Sequence, residues 1–187
     1  DRYFPRPVTL ESGEVTVSAK TQAFQFEVID DTTCTLKKYV GTDTVVEIPA
    51  EAPDGRKVVA IAADAFRDNT IVTNIVLLEG ITEIGENAFA GCSALREINL
   101  PETLTIVGES PFDSCVSLTS ITIPGSLTNI GPFMFYKCTG LTDVRLPATM
   151  TELADGMFQD CTSLTTLALP EGLTTIRDQA FEGSGLK

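Results

Sequence analysis

The cysteines are the residues in this sequence with the widest range of possible chemistry. Four of the five, Cys92, Cys115, Cys138 and Cys161, are spaced 23 residues apart. Thiols at a regular spacing could hold metal ions, form disulfides or relay redox equivalents. Side chains stacked like strands, about 4.8 Å apart, keep their Cβ atoms farther apart than the roughly 3.8 Å that a disulfide prefers. Free cysteine is also among the most buried residue types. The spacing therefore favours buried core thiols, with a disulfide or a metal site as the alternatives.

Glu97 and Asp143 are the carboxylates whose spacing could support hydrolysis. They lie two 23-residue periods apart, and two strand spacings would separate them by about 9–10 Å, close to the separation in an inverting glycosidase. Such an enzyme also needs aromatic side chains that stack on the sugar, and none is visible at these positions. The pattern favours two solvated carboxylates, with Asp143 and Arg145 forming a weak surface ion pair.

The composition excludes several classes of function. The chain has no histidine, which excludes Ser-His-Asp and Cys-His catalysis and every metal site that needs an imidazole. Its 13 Lys and Arg against 26 Asp and Glu give a net charge of −13, which argues against nucleic acid and anionic membranes as partners. No apolar run approaches the length of a membrane span. We predict no catalytic residue, no cofactor and no metal ligand.

A 23-residue repeat positions the residues discussed above. Six of the ten phenylalanines lie on it without an insertion or deletion: Phe66, Phe89, Phe112, Phe135, Phe158 and Phe181. Several apolar columns keep the same register, and a proline closes the apolar run at Pro101, Pro124, Pro147 and Pro170. Self-similarity at such a period is the signature of a stacked repeat architecture.

Each repeat predicts one short strand. In the segment Leu95-Arg96-Glu97-Ile98-Asn99-Leu100-Pro101, apolar Ile98 and Leu100 alternate with polar Glu97 and Asn99, and Pro101 ends the hydrogen-bonded ladder. A single repeat cannot bury its apolar residues alone, whereas stacked coils join them into continuous ridges. The sequence therefore predicts a solenoid with a parallel sheet and ladders of phenylalanine and leucine in its core.

The repeated unit resembles a known family. The pattern I-G-x-x-A-F-x-x-C-x-x-L-x-x-I-x-L-P-x-x-L-T, which runs from Ile84 to Thr105, closely resembles the BspA-like leucine-rich repeats of bacterial surface proteins. The resemblance covers about residues 60–187. It implies a leucine-rich repeat solenoid, a right-handed α/β superhelix rich in β-structure, with one strand per coil and short helical or 3-10 turns. It also implies a place outside the cell or on the bacterial surface, and a role in adhesion.

The repeats suggest three parts of the chain. We predict a tail or linker over residues 1–20, an N-terminal cap with a β-hairpin over residues 21–59, and an array of about five to six coils over residues 60–187. The segment from Phe181 to Leu186 starts a further unit without completing it. We expect from this that the array continues beyond Lys187.

Function should lie on the outward strand positions, because the inward ones are committed to the core. We predict a surface for a host or matrix protein, without nucleic acid or membrane insertion, on a monomer. The alternatives are a structural spacer within a larger surface protein and, more distantly, a carbohydrate-active solenoid enzyme. The candidate partner-binding residues are Asn74, Glu97, Asn99, Ser120, Thr122, Asp143, Arg145 and Thr166.

Overall fold

The computed structural model describes residues 23–187 and two short strands before them, Thr9–Leu10 and Gly13–Glu14. The tail or linker predicted over residues 1–20 otherwise lies outside the described residues. In chain order the strands are β1 (Thr9–Leu10), β2 (Gly13–Glu14), β3 (Phe24–Val28), β4 (Thr33–Tyr39), β5 (Val45–Glu47), β6 (Lys57–Ile61), β7 (Asn74–Val76), β8 (Glu83–Ile84), β9 (Glu97–Ile98), β10 (Ile106–Val107), β11 (Ser120–Thr122), β12 (Asn129–Ile130), β13 (Asp143–Arg145), β14 (Glu152–Leu153) and β15 (Thr175–Ile176).

The coils stack into two parallel sheets. One row of strands, which we call the first sheet, consists of β5-β7-β9 and then β11-β13, and the other row, the second sheet, consists of β4-β6-β8-β10-β12 and then β14-β15. The strand pairing is interrupted between β9 and β11 in the first row and between β12 and β14 in the second. The register is one repeat in both sheets, since Asn74 pairs with Glu97 and Ile106 pairs with Asn129. The parallel solenoid predicted from the repeat is confirmed. The structure adds a second strand to most coils, which the sequence does not reveal because these strands are only two residues long.

The third side of each coil is a five-residue turn, and the six turns stack into what we call the turn ladder (residues 64–68, 87–91, 110–114, 133–137, 156–160 and 179–183). In the first five turns the first, third and fifth N–H groups donate to carbonyls of the next coil, as Phe66 does to Ala88 at 2.7 Å. The first and fifth residues of every turn have a φ between 52° and 72°. A left-handed residue interrupts a right-handed helix. The short helical or 3-10 turns implied by the resemblance are therefore wrong for these segments.

The core is a line of side chains along the solenoid. Five of the grid phenylalanines are at most 2% exposed, and the cysteine and leucine columns are buried beside them. The rings stack from Tyr39 to Phe181 with centroids 5.0–5.9 Å apart. In the last described coil no further coil packs on the inward columns, so that Leu169 and Ile176 are about half exposed.

The hairpin of β3 and β4 lies at the N-terminal end of the second sheet. These two strands pair antiparallel, and β4 pairs parallel with β6. The segment from β5 to β6 carries an insertion, because Val45 pairs with Asn74 at an offset of 29 residues instead of 23. The extra residues form the turn at Pro53-Asp54-Gly55, closed by the bridge between Glu51 and Lys57. Whether residues 21–59 act as a cap stays a prediction.

Candidate functional site

The outward side of the first sheet, which we call the first-sheet face, carries two columns of side chains. Along a strand, successive side chains alternate between the core and solvent, so β9 buries Ile98 and exposes Glu97, and β13 buries Val144 and exposes Asp143 and Arg145. The in-register pairing places Ser120 beside Asp143 and Thr122 beside Arg145. Within β7-β9 and within β11-β13, the repeat therefore holds these side chains in rows one strand spacing apart.

An open groove of about 500 Å³ runs along the first-sheet face. Seven of the eight predicted surface residues line it, and Thr166 is not among the lining residues. None of the lining residues is aromatic, so the ring stacking that the glycosidase hypothesis requires is missing from the groove. The complete lining is Asn74, Ile75, Val76, Glu97, Ile98, Asn99, Leu100, Ser120, Ile121, Thr122, Asp143 and Arg145.

Two of the predicted surface residues use their amide groups within the protein. Asn99 donates from Nδ2 to the carbonyl of Leu77 at 2.7 Å and accepts at Oδ1 from the Leu77 N–H at 2.8 Å. The side chain thus takes the place of a strand neighbour at the end of β9. Asn74 donates from Nδ2 to Oε2 of Glu97 at 2.7 Å. Asn99 therefore has a structural role, and Asn74 restrains the Glu97 carboxylate.

The side chains in the middle of the groove and at its C-terminal end make fewer contacts within the protein. Within residues 23–187, the hydroxyls of Ser120 and Thr122 have no hydrogen-bond partner. Asp143 and Arg145 form the expected ion pair, with Oδ2 and Nε 3.9 Å apart and both side chains more than 60% exposed. An exposed pair at this distance contributes little to stability. The polar groups of these four residues are consequently available to a partner.

The face also extends to residues that the sequence analysis did not include. Val45 and Glu47 of β5 continue the two columns beyond Asn74 and Val76, and Val45 is 62% exposed. The Val46-Glu47-Ile48-Pro49 segment carries the same strand-proline pattern as the repeats. Its offset of 29 residues removes it from the 23-residue grid and hides its place in the two columns.

The cysteine column has a different role. All five cysteines are buried free thiols, which confirms the interpretation as core residues. In the repeats each Sγ donates to the carbonyl of the phenylalanine one coil earlier, as Cys138 does to Phe112 at 3.1 Å. Burial raises the pKa of Cys92 and of Cys161 to about 12. A thiol is a nucleophile or a metal ligand only as the thiolate, so these side chains are inert near neutral pH.

Metal sites and membrane-spanning helices are two further classes of feature that bear on function. No group of three or more Cys, Asp or Glu side chains there is arranged to hold a metal ion. No helix in the described residues has the length and apolar character to span a membrane.

Comparisons with known proteins agree with the repeat pattern. The sequence matches the BspA type leucine rich repeat region over residues 59–187, in six copies. A search of curated protein sequences gives no match. Among solved structures, the chain is similar to a leucine-rich repeat protein of T. pallidum, with a TM-score of 0.68 and 30% identity over 83% of this chain and 84% of that one.

Two other solved structures have the same architecture. One is a leucine rich cell surface protein of Faecalibacterium prausnitzii, with a TM-score of 0.66 and 26% identity over 96% of this chain and 52% of that one. The other is a leucine-rich repeat protein of Bacteroides capillosus, with a TM-score of 0.59 and 32% identity over 67% of this chain and 94% of that one. The chain thus spans about half the length of the Faecalibacterium protein.

Proposed function

Because the chain belongs to the BspA-type leucine-rich repeat family, we propose that it is a protein-binding module of the bacterial cell surface that holds a host or matrix protein on its first-sheet face. The observation that carries the proposal is the groove on this face, lined by eight outward side chains, seven of them predicted from the sequence and the eighth Val76. The description of the Faecalibacterium relative as a cell surface protein supports the location.

The polarity of the groove favours a protein as the ligand. Its lining combines carboxylates, a guanidinium and hydroxyls with the exposed apolar side chain of Val76. Mixed polar and apolar surfaces of this kind are typical of protein interfaces that form and dissociate. The parallel strands hold the side chains on a rigid support, so binding requires little ordering of the protein itself.

Charge reversal on the first-sheet face tests the proposal. Beads that carry residues 1–187 are measured for adhesion to surfaces coated with solubilised extracellular matrix. The triple variant Glu97→Lys, Asp143→Lys and Arg145→Glu should lose at least 90% of the adhesion, because it inverts the potential that a partner meets.

A matched variant controls for net charge. Glu86→Lys, Glu109→Lys and Lys137→Glu make the same charge changes at exposed positions in or beside the turn ladder. This variant should adhere like the wild type. Equal loss in both variants, or adhesion that survives both, would contradict binding at the first-sheet face.

A structural spacer is the second candidate function. The stack of rings from Tyr39 to Phe181 is continuous, as a rigid rod between other domains would require. Adhesion that survives reversal of all three groove charges favours this alternative.

A further inference from the structure

The first-sheet face has a depression at its centre. In the column Glu97, Ser120, Asp143, a short side chain lies between two long ones, and Thr122 is likewise shorter than its neighbours Asn99 and Arg145. Ser120 and Thr122 therefore form the floor of the groove, with a carboxylate on each side along the solenoid axis.

We infer that this depression takes a lysine or arginine side chain of the partner protein, an inference that rests on the function proposed above. A cation above Ser120 would lie about one strand spacing, near 5 Å, from the position of Asp143. Glu97 faces it from the other side, across the interruption between β9 and β11. Each exposed carboxylate attracts a cation only weakly, but Glu97 and Asp143 would act on the same cation together. The charge complementarity therefore selects a cationic side chain over a neutral or an anionic one.

The hydrogen-bonding groups of the depression match an ammonium group. An ammonium donates three hydrogen bonds and accepts none. The carboxylates of Glu97 and Asp143 and the hydroxyl of Ser120 supply three acceptors. Within the described part of the chain, the Ser120 hydroxyl has no partner and Glu97 has only the neutral amide of Asn74 as a hydrogen-bond donor.

Arg145 is the cation that competes for Asp143. Its Nε lies 3.9 Å from Oδ2 of Asp143, beyond hydrogen-bond distance, and its side chain is 74% exposed. A partner cation in the depression can displace so weak a pair. Removal of the Arg145 charge should therefore strengthen binding of a cation, whereas a groove that recognised anions through Arg145 would lose its ligand.

The test is a titration of ¹⁵N-labelled protein, residues 1–187, with the peptide acetyl-Gly-Lys-Gly-amide, followed by NMR. We expect binding in the millimolar range, with the largest amide shifts at Glu97, Ser120 and Asp143, and smaller shifts with acetyl-Gly-Gln-Gly-amide. Glu97→Gln with Asp143→Asn should weaken binding at least tenfold. Arg145→Gln should strengthen it about two- to fivefold.

The control separates a local site from attraction to an acidic protein. Glu86→Gln with Glu109→Gln removes the same two charges from exposed positions beside the turn ladder, and should change the affinity by less than twofold. Equal weakening in both double variants, shifts spread over the turn ladder, or weaker binding by Arg145→Gln would each overturn the inference. The outcomes are independent of the adhesion experiment. If charge reversal abolishes adhesion while Glu97→Gln with Asp143→Asn leaves both adhesion and peptide binding intact, the proposed function stands and the cation site does not.

Discussion

At the scale of single residues, inward side chains such as the cysteines stabilise the core, and outward side chains such as those of the first-sheet face are available for binding. The burial of the cysteines could be predicted from their shared column. Their hydrogen bonds could not, because each acceptor is a carbonyl 26 residues earlier, whose direction depends on the turn ladder. Asn99 was predicted as a binding residue because strand alternation places it on the outward side. Its hydrogen bonds to Leu77 could not be predicted, because they depend on where β9 ends.

Phe133 is the residue that sequence reasoning missed most clearly. It has a φ of 60° in a turn-ladder column otherwise filled by Asp, Asn, Ser, Gly and Gln, residues that tolerate this conformation better. Its ring occupies the space above Gly156, where an added Cβ would lie 2.2 Å from Cδ1 of Phe133. The sequence signal for this exception was Phe133 itself, which stands two positions before Phe135, where no other repeat has a phenylalanine.

The raised pKa values of the thiols predict how stability depends on pH. Unfolded thiols ionise near pH 9, whereas those of Cys92 and Cys161 stay protonated in the folded state up to about pH 12. The folded state therefore binds more protons in this window, and the free energy of unfolding falls as the pH rises through it. Urea unfolding under reducing conditions between pH 9 and 11 should show this fall.

A double variant tests whether the thiols cause the slope of the unfolding free energy against pH. Cys92→Ala with Cys161→Ala should make the slope shallower by about 1.4 kcal/mol per pH unit for each thiol removed, even though both changes lower stability at neutral pH. A slope identical to that of the wild type would show that the thiols do not carry the effect.

At the scale of the secondary-structure elements, the first sheet was predictable and the turn ladder was not. Alternation and a closing proline identify the strands of the first sheet. The turn ladder depends on residues with positive φ at two positions per coil, and Asp, Asn, Ser and Lys at these positions are also common in helix termini and loops. Its hydrogen bonds between coils require close approach of the backbones, and the nearest sequence signal for this is the Gly85, Gly108 and Gly131 column.

Gly131 should be intolerant of any side chain. An added Cβ would lie 2.4 Å from the carbonyl carbon and oxygen of Gly108, which are backbone atoms that cannot rotate away. We expect Gly131→Ala to destabilise the protein by about 1–3 kcal/mol, measured by chemical denaturation.

Gly125→Ala is the matched control for this substitution. An added Cβ there would meet Thr149 Oγ1 at 3.6 Å, an ordinary contact, and the backbone of Gly125 does not have a positive φ. The free energy of unfolding should stay within about 0.5 kcal/mol of the wild type or rise slightly. Equal losses from both substitutions would refute the close approach of the coils.

At the scale of the whole molecule, the core is linear. Each coil contacts the coils before and after it, so the position of a residue along the stack decides how much burial it contributes. The period alone predicted this arrangement, since stacked identical units can bury their apolar columns in no other way. The arrangement of the N-terminal end could not be predicted, because the 29-residue offset hides the relation of β5 to the repeats.

Truncating rings at two positions tests the linear core. Phe135 is fully buried between Phe112 and Phe158. Phe181 is half-buried and, among the described residues, stacks on Phe158 alone. Phe135→Ala should cost about 3–5 kcal/mol, and Phe181→Ala about 1–2 kcal/mol, in equilibrium unfolding by urea. Similar costs at both positions would contradict a linear core, in which the contribution of a ring depends on its place along the stack.

The turn ladder also gives the molecule an electrical direction. Its peptide units point their carbonyls towards the preceding coil and their N–H groups towards the next, so their dipoles add along the axis as they do in a helix. The negative pole lies at residues 64–68, where Lys38 and Arg67 line the same cleft. The positive pole lies at residues 179–183, where Asp178 and Glu182 are exposed. Arg67 is ion-paired with Asp64 and Asp68 of its own turn, so the first pole carries charges of both signs. The dipole is therefore a property of the whole stack that no individual repeat would reveal.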